Sequence, residues 1–189
     1  KIKETEKGRY LYVQITETGL DAVEVLKKML PDIIQAIPFP KTMRWSDFSL
    51  NYTRPIHWIT ALFGKNVVNF KLENIESGRF TYGHRFMCPE KIGIEHPSRY
   101  VEKLREAYVW ADLEERKQGV LEDIDRAARK IGGKVLPDPE LVDTVTNLIE
   151  SPAAVAGSFE TKYLKLPAEI LITAMREHQK YFAVIDDQE

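Results

Sequence analysis

The segment Ser77-Gly78-Arg79-Phe80-Thr81-Tyr82-Gly83-His84-Arg85-Phe86 holds the densest set of groups that could do chemistry. Gly78 and Gly83 have the spacing of the two P-loop glycines. A P-loop then needs a Lys for the β/γ-phosphates and a Ser or Thr hydroxyl for Mg²⁺, and His84-Arg85 stand in their place. Nucleotide hydrolysis is not expected here. What remains is Arg79, His84 and Arg85 interleaved with Phe80, Tyr82 and Phe86, a mixture that suits a phosphate backbone with stackable bases. The same composition fits a surface loop with inward aromatics and solvated arginines, and composition alone favours that reading.

Two further basic clusters are candidates. Lys41, Arg44 and Arg54 are opposed only by Asp47 and interleave with Trp45, Tyr52 and Trp58. Arginine beside aromatics can read nucleic acid or stack on its neighbours in a structural role, and the residues alone favour the second. Arg176, His178 and Lys180 close the run Met175 to Phe182. They could face a ligand, or could be cations at a helix C-terminus.

Other chemistries find no support. His57, His84, His96 and His178 are not in HExxH spacing or paired with a second Cys, so no metal ligand set is expected. Cys88 is the one cysteine and is read as an inert thiol despite nearby His84. Glu114-Glu115, Asp123 and Asp125 lie in a stretch, Glu95 to Lys130, with eight positive and nine negative residues. That is a solvated face, not a catalytic carboxylate pair. Asp138 to Glu160 carries five acids and no base, which argues against nucleic-acid contact there.

The elements that must position these groups belong to an ordinary globular chain. It has 189 residues and net charge −2, with 43% hydrophobic and 30% charged residues. That excludes a disordered chain, a collagen and a disulfide scaffold, and the overall basic excess of a stand-alone nucleic-acid binder. No apolar run is long enough to span a membrane. A single cysteine fits a reducing, cytoplasmic setting. The chain opens on Lys1 with no signal peptide and closes on Asp186-Asp187-Gln188-Glu189 straight after an apolar run, so it reads as a piece of a longer protein.

Local patterning predicts the following order. Lys1 to Arg9 is charged and frayed, and Tyr10 to Ile15 is a half-buried strand with Leu11, Val13 and Ile15 on one face. Asp21 to Ile37 is a helix with Val25, Leu26, Met29, Ile33 and Ile37 inward, split or kinked at Pro31. Ile56 to Phe63 is a central strand, joined by a three-residue loop, Gly64 to Asn66, to a strand with Val68, Phe70 and Leu72 on one side. Ile75 to Pro89 is irregular. Helices follow from Pro97, from an Asp112 cap with Glu115 in a capping box, and from Asp138-Pro139 with Leu141, Val142, Val145, Leu148 and Ile149 inward. Ala153 to Phe159 is a weak strand, Pro167 to Glu177 a short helix and Lys180 to Asp186 a last strand. The fold class is α+β, with a mixed, largely antiparallel β-sheet and packed helices. Residues 1–189 form one compact region with a soft sub-boundary near 90–97.

An ordered set of motifs carries a resemblance. Pro38-Phe39-Pro40-Lys41-Thr42-Met43-Arg44-Trp45 resembles the "IPxPKxMRW" run of the bacterial glycyl-tRNA synthetase β subunit family. Arg54-Pro55-Ile56-His57-Trp58 and the Ser77 to Phe86 loop follow. Asp112 to Lys117 is similar to its "DFEERK", Val145 to Pro152 to its "VTxLVEWP", and Glu177 to Phe182 to its "EHQKYF". Leu113 and Ser151 stand where the family has Phe and Trp, and Tyr52-Thr53 replaces a more apolar pair.

The resemblance implies an amino-terminal portion of the β subunit of a heterotetrameric, cytoplasmic ligase. That ligase charges glycine onto its tRNA with ATP and Mg²⁺, both handled by the α subunit. The β subunit recognises tRNA and supports assembly. This region would then be non-catalytic, hold no cofactor or metal, and partner glycine tRNA, the α subunit and the remainder of β. Its tRNA-binding residues would be Arg79, His84 and Arg85, then Lys41, Arg44 and Arg54, then Arg176, His178 and Lys180. The alternatives are a structural and subunit-interface module without tRNA contact, and an editing-type hydrolytic domain similar to that of phenylalanyl-tRNA synthetase.

Overall fold

Asp21 starts the first helix because its Oδ1 accepts the Val23 and Glu24 amides at 3.0 and 3.2 Å, satisfying two donors the helix cannot. The computed structural model describes residues 2–6, 8–11, 13, 15 and 18–186. Expectations at residues 1, 7, 12, 14, 16, 17 and 187–189 lie outside them. The fold is α+β, with small, mostly antiparallel sheets rather than one continuous sheet. The chain divides into two compact units, Lys1–Gly78 and Arg79–Glu189.

In the first unit, β1 (Ile2–Thr5) and β2 (Gly8–Leu11) pair antiparallel, with Ile2 opposite Leu11 and Thr5 opposite Gly8. The frayed start expected here is therefore a hairpin, and Gly8 takes a φ of 126° beside the turn. The half-buried strand expected to Ile15 ends at Leu11; Leu11, Val13 and Ile15 are all exposed. Helix α1 (Ala22–Ala36) runs through Pro31 without splitting. A proline inside a helix removes one donor, and here the turn beyond it still forms.

The apolar face of α1 differs from the periodicity reading. Val23, Leu26, Leu30 and Ile34 pack on the core of Ala61, Val68 and Phe70. Met29, Ile33 and Ile37 are 47%, 48% and 41% exposed. Helix α1 carries two adjacent apolar stripes, and the sheet takes only one.

The expected central strand is two short pieces, β3 (Ile59–Thr60) and β4 (Leu62–Phe63). β4 forms the predicted hairpin with β5 (Asn66–Val67). Phe63 opposes Asn66, so the connection is Gly64-Lys65, one residue shorter than expected. β6 (Lys71–Leu72) pairs antiparallel with β7 (Ile75–Gly78), which pairs parallel with β3, giving the order β3-β7-β6. Val68, Phe70 and Leu72 are buried together, as their alternation requires.

In the second unit, β8 (Phe80–Tyr82) pairs antiparallel with β9 (Lys91–Gly93). The stretch 75–89 is thus less irregular than expected: it holds β7 and β8. A 3₁₀ turn, Pro97–Arg99, leads into α2 (Tyr100–Glu106). Helix α3 (Leu113–Lys130) starts on Asp112, whose Oδ1 accepts the Glu115 amide at 2.9 Å. The Glu115 carboxylate pairs with Arg105 at 2.6 Å. β10 (Lys134–Val135) precedes α4 (Pro139–Leu148), whose cap Asp138 accepts the Leu141 amide at 3.0 Å.

Helix α3 packs on α4 and β10 around Val120, Ala128, Leu141, Val142 and Thr146. Leu148, expected inward, is exposed, and Thr146 is buried instead. Its hydroxyl donates to the Val142 carbonyl at 2.7 Å, which removes the polar penalty of burial. Residues 153–159 form no strand, and Val155 is 92% exposed. A 3₁₀ turn (Thr161–Lys165) leads to α5 (Ala168–Thr173), and a π-helical turn, Ala174–Gln179, extends it. The last strand is only β11 (Val184–Ile185), antiparallel to β10.

Candidate nucleic-acid interface

Ser77 anchors the approach to the first basic cluster. Its buried hydroxyl accepts the Phe70 amide at 2.8 Å and lies 2.7 Å from the Val68 carbonyl, to which it donates. Gly78 ends β7, and Arg79, half-buried, accepts the Ile94 amide through its carbonyl at 2.8 Å. β8 then runs to Gly83, which lies against the neighbouring backbone. A methyl group there would stand 2.6 Å from the Ala107 Cβ and 2.8 Å from the Ala107 and Cys88 carbonyl oxygens. The two glycines therefore end a strand and permit a close approach. They do not form an open phosphate cradle, and the segment does not fit a nucleotide.

The turn after Gly83 is pinned by His84. Its amide donates to the Ala107 carbonyl at 2.8 Å, and its carbonyl accepts the Cys88 amide at 2.9 Å. Nδ1 accepts the Phe86 and Met87 amides at 3.2 and 3.3 Å. That places the ring proton on Nε2, which stands 3.9 Å from a Glu150 carboxylate oxygen. With Nδ1 committed to the backbone, His84 is not placed to serve Cys88 as a base. Around this frame Arg85, Phe86 and Met87 are exposed, and Arg85 has no ion-pair or hydrogen-bond partner among the described residues.

The second cluster lies in the Lys1–Gly78 unit. Lys41 and Arg54 are exposed and make no ion pair among the described residues. Arg44 donates from Nε and Nη2 to the Phe48 carbonyl at 3.3 and 3.2 Å, closing the loop in which Met43 and Tyr52 bridge. Phe39 packs edge-on to Tyr52 at 4.7 Å and Trp45 edge-on to Phe48 at 6.4 Å. Trp58 lies 6.3 Å from the His57 ring, so each aromatic of this cluster meets a neighbouring ring. His57 is exposed rather than buried in a strand.

The third cluster is not a set of free cations. Arg176 binds Asp138 through Nε and Nη2, Glu140 through Nη2 at 2.8 Å, and Glu177 through Nη1. The hydrogen bond to Asp138 is the largest influence raising its guanidinium above the usual arginine range, followed by those to Glu177 and Glu140. Reciprocally, Arg176, then the Leu141 amide, hold the Asp138 carboxyl below its ordinary value. The guanidinium therefore ties the end of the π-helical turn to the cap of α4. Lys180 stands 3.9 Å from Glu177 and adopts a left-handed φ of 57° that terminates the turn. His178 is exposed.

A family model described as glycyl-tRNA synthetase beta subunit matches residues 1–189. The chain belongs to the glycyl-tRNA synthetase beta subunit family. Among its relatives, the glycine–tRNA ligase beta subunit of Desulfatibacillum aliphaticivorans is 49% identical over 184 residues, 97% of this chain. That of Syntrophotalea carbinolica is 46% identical over 185 residues, 98% of the chain. That of a Geobacter species is 44% identical over 188 residues, the whole chain. In each case the chain spans 27% of the relative's length.

Within this glycyl-tRNA synthetase beta subunit framework, two motifs without an assigned role in the sequence turn out to hold each other. Arg116, in the Asp112 to Lys117 motif, donates from Nε to the Thr146 carbonyl at 2.9 Å and from Nη1 to the Trp110 carbonyl. The Trp110 amide donates to the Glu150 carbonyl at 2.8 Å, and Lys117 pairs with Asp143 at 2.6 Å. The hydrogen bond with Asp143, then its charge, raise the Lys117 ammonium above its usual range. Asp123, expected in a solvated face, is only 21% exposed; it pairs with Arg126 and accepts the Ala154 amide at 3.0 Å. Arg105 stacks on Trp110 with its guanidinium carbon 3.4 Å from the ring centroid. The paired motifs in the sequence were the available signal. Among the described residues, no group of three His, Cys, Asp or Glu is placed to share a metal ion, and no helix is long and apolar enough to cross a membrane.

Proposed function

We propose that this region contributes tRNA positioning to the β subunit of a cytoplasmic glycine–tRNA ligase and performs no bond-making step itself. The observation that carries this reading is Arg85, exposed and without a partner among the described residues, on a turn pinned by His84. An exposed guanidinium free of carboxylates neutralises a phosphate without first breaking an ion pair. Lys41 and Arg54 add charge of the same kind in the other unit. Arg79, His84, Arg44, His178 and Lys180 act in support, and Arg176 works through its carboxylates as a brace. ATP and Mg²⁺ belong to the α subunit in this reading, and the partners are glycine tRNA, that subunit and the rest of β.

The test is aminoacylation by the assembled α and β subunits carrying Lys41→Ala, Arg54→Ala and Arg85→Ala together. The KM for glycine tRNA rises about tenfold, and the rise shrinks as salt increases. The KM values for glycine and ATP stay unchanged. An unaltered KM for tRNA would sink the proposal.

A second reading, a subunit-interface module, is favoured by the exposed stripe Met29, Ile33 and Ile37 on α1. Ile33→Asp then weakens assembly in sedimentation while leaving tRNA affinity per assembled enzyme intact.

A further inference from the structure

The turn from His84 to Cys88 displays an aromatic ring in an unusual way. Phe86 is 84% exposed and Met87 58% exposed. Exposed apolar side chains are common on mobile loops, but this turn is held at four points by backbone hydrogen bonds and the His84 imidazole. Gly83 presses its base against Ala107 so closely that no side chain fits. The fold thus orders a short turn whose tip side chains are largely exposed, the Phe86 ring meeting only the edge of its own turn, with its centroid 6.2 Å from that of the His84 imidazole.

The chemistry of the tip narrows the partner. A phosphate-binding turn presents free amides, but the Phe86 and Met87 amides are already donated to His84 Nδ1. Recognition must come from the side chains. Residues 79–91 carry three Arg or Lys against one Glu, in a chain of net charge −2. The tip places an unpartnered guanidinium directly beside an exposed ring. A ring and a cation in sequence match a base and its phosphate. They match them only where the base is unpaired, because a base inside a helix offers no free face without the cost of unstacking. An apolar pocket on another protein would accept Phe86 and Met87 but gives Arg85 no role.

We infer that the His84-pinned turn is a single-nucleotide stacking site: the Phe86 ring stacks on an unpaired base of the tRNA while Arg85 neutralises its phosphate. This rests on the tRNA-positioning reading above and specifies the form of RNA bound. Two acids lie nearby, Glu90 in the same stretch and Glu150, which stands 3.9 Å from His84 Nε2. Neither pairs with Arg85, which has no partner among the described residues.

The experiment measures equilibrium binding of glycine tRNA to the assembled α and β subunits across a salt series. Phe86→Ala weakens binding about tenfold with an unchanged salt slope, because it removes stacking and no charge. Phe86→Trp retains or improves affinity. Arg85→Ala lowers the salt slope by about one. Thermal melting and sedimentation of each variant establish that fold and assembly are intact, as expected for side chains that pack on little. Unchanged affinity in Phe86→Ala overturns the stacking site. If Arg85→Ala still alters the slope in that case, the tRNA-positioning reading survives alone; if it does not, both fall. Loss of the α subunit from Phe86→Ala at unchanged tRNA affinity identifies a protein pocket as the occupant and also overturns the inference.

Discussion

Gly119 and Trp110 occupy adjoining space with no slack: a methyl group on Gly119 would lie 2.6 Å from Cζ3 of the Trp110 ring. The missing Cβ lets the indole approach α3 through Cζ3 and Cη2. The ring also carries the Arg105 guanidinium over its face, and that group is itself held by Glu115 at 2.6 Å. A helix-interior glycine costs about 1 kcal/mol relative to alanine, so its presence here has a packing cause.

Gly119→Ala is expected to destabilise the chain. Helix propensity favours the substitution by about 1 kcal/mol. The clash with an aromatic ring and with Pro152, 2.9 Å away, works against it by about 1–3 kcal/mol. The ring cannot swing aside without breaking the Arg105 stack. Urea unfolding gives the sign, and a more stable variant would show that the ring moves freely.

Ser77→Ala is expected to cost about 1–3 kcal/mol, because it strands a buried donor. The Phe70 amide loses its acceptor at 2.8 Å, and the Val68 carbonyl loses a donor at 2.7 Å. Hydrogen exchange reports it directly: the Phe70 amide exchanges faster, while amides of α3 keep their protection. Equal acceleration in both places would show global rather than local loosening.

Acid should loosen the Asp138–Arg176 brace. Arg176 holds the Asp138 carboxyl below its ordinary value of 3.8. A carboxyl lowered in the folded state contributes stability that is present above the unfolded value and disappears as pH falls through the folded one. Stability therefore begins to decline below about pH 4 and falls further until the folded carboxyl, held lower, takes up its proton. Asp138→Asn keeps much of the cap geometry and removes this titration. The variant is less stable at neutral pH, and the gap narrows on acidification. A constant gap down to about pH 2 would show that ionisation of Asp138 contributes nothing to stability.

Local signals were legible in the residues because they act within a few positions. Asp21, Asp112 and Asp138 cap the helices their spacing announced. The alternation of Val68, Phe70 and Leu72 marks a buried face. The α+β class and the family motifs follow from patterns of the same kind. The motifs name a lineage because six of them keep their order along the chain.

Roles that depend on distant partners were not legible. Helix α1 has two adjacent apolar stripes, and periodicity cannot say which meets Ala61, Val68 and Phe70. β10 and β11 are two residues long and pair across some fifty positions, too short to announce themselves. Arg176 looked like Arg85 as a residue type, yet one meets Asp138 and Glu140 across 36–38 residues and the other meets no partner among the described residues. Nor could a one-dimensional pattern show that His84 would turn its Nδ1 inward onto two amides and leave Phe86 outside. Propensity and capping are properties of a short stretch of chain. Whether a charge is spent on the fold or left for a ligand depends on which remote groups chain closure brings within hydrogen-bond reach.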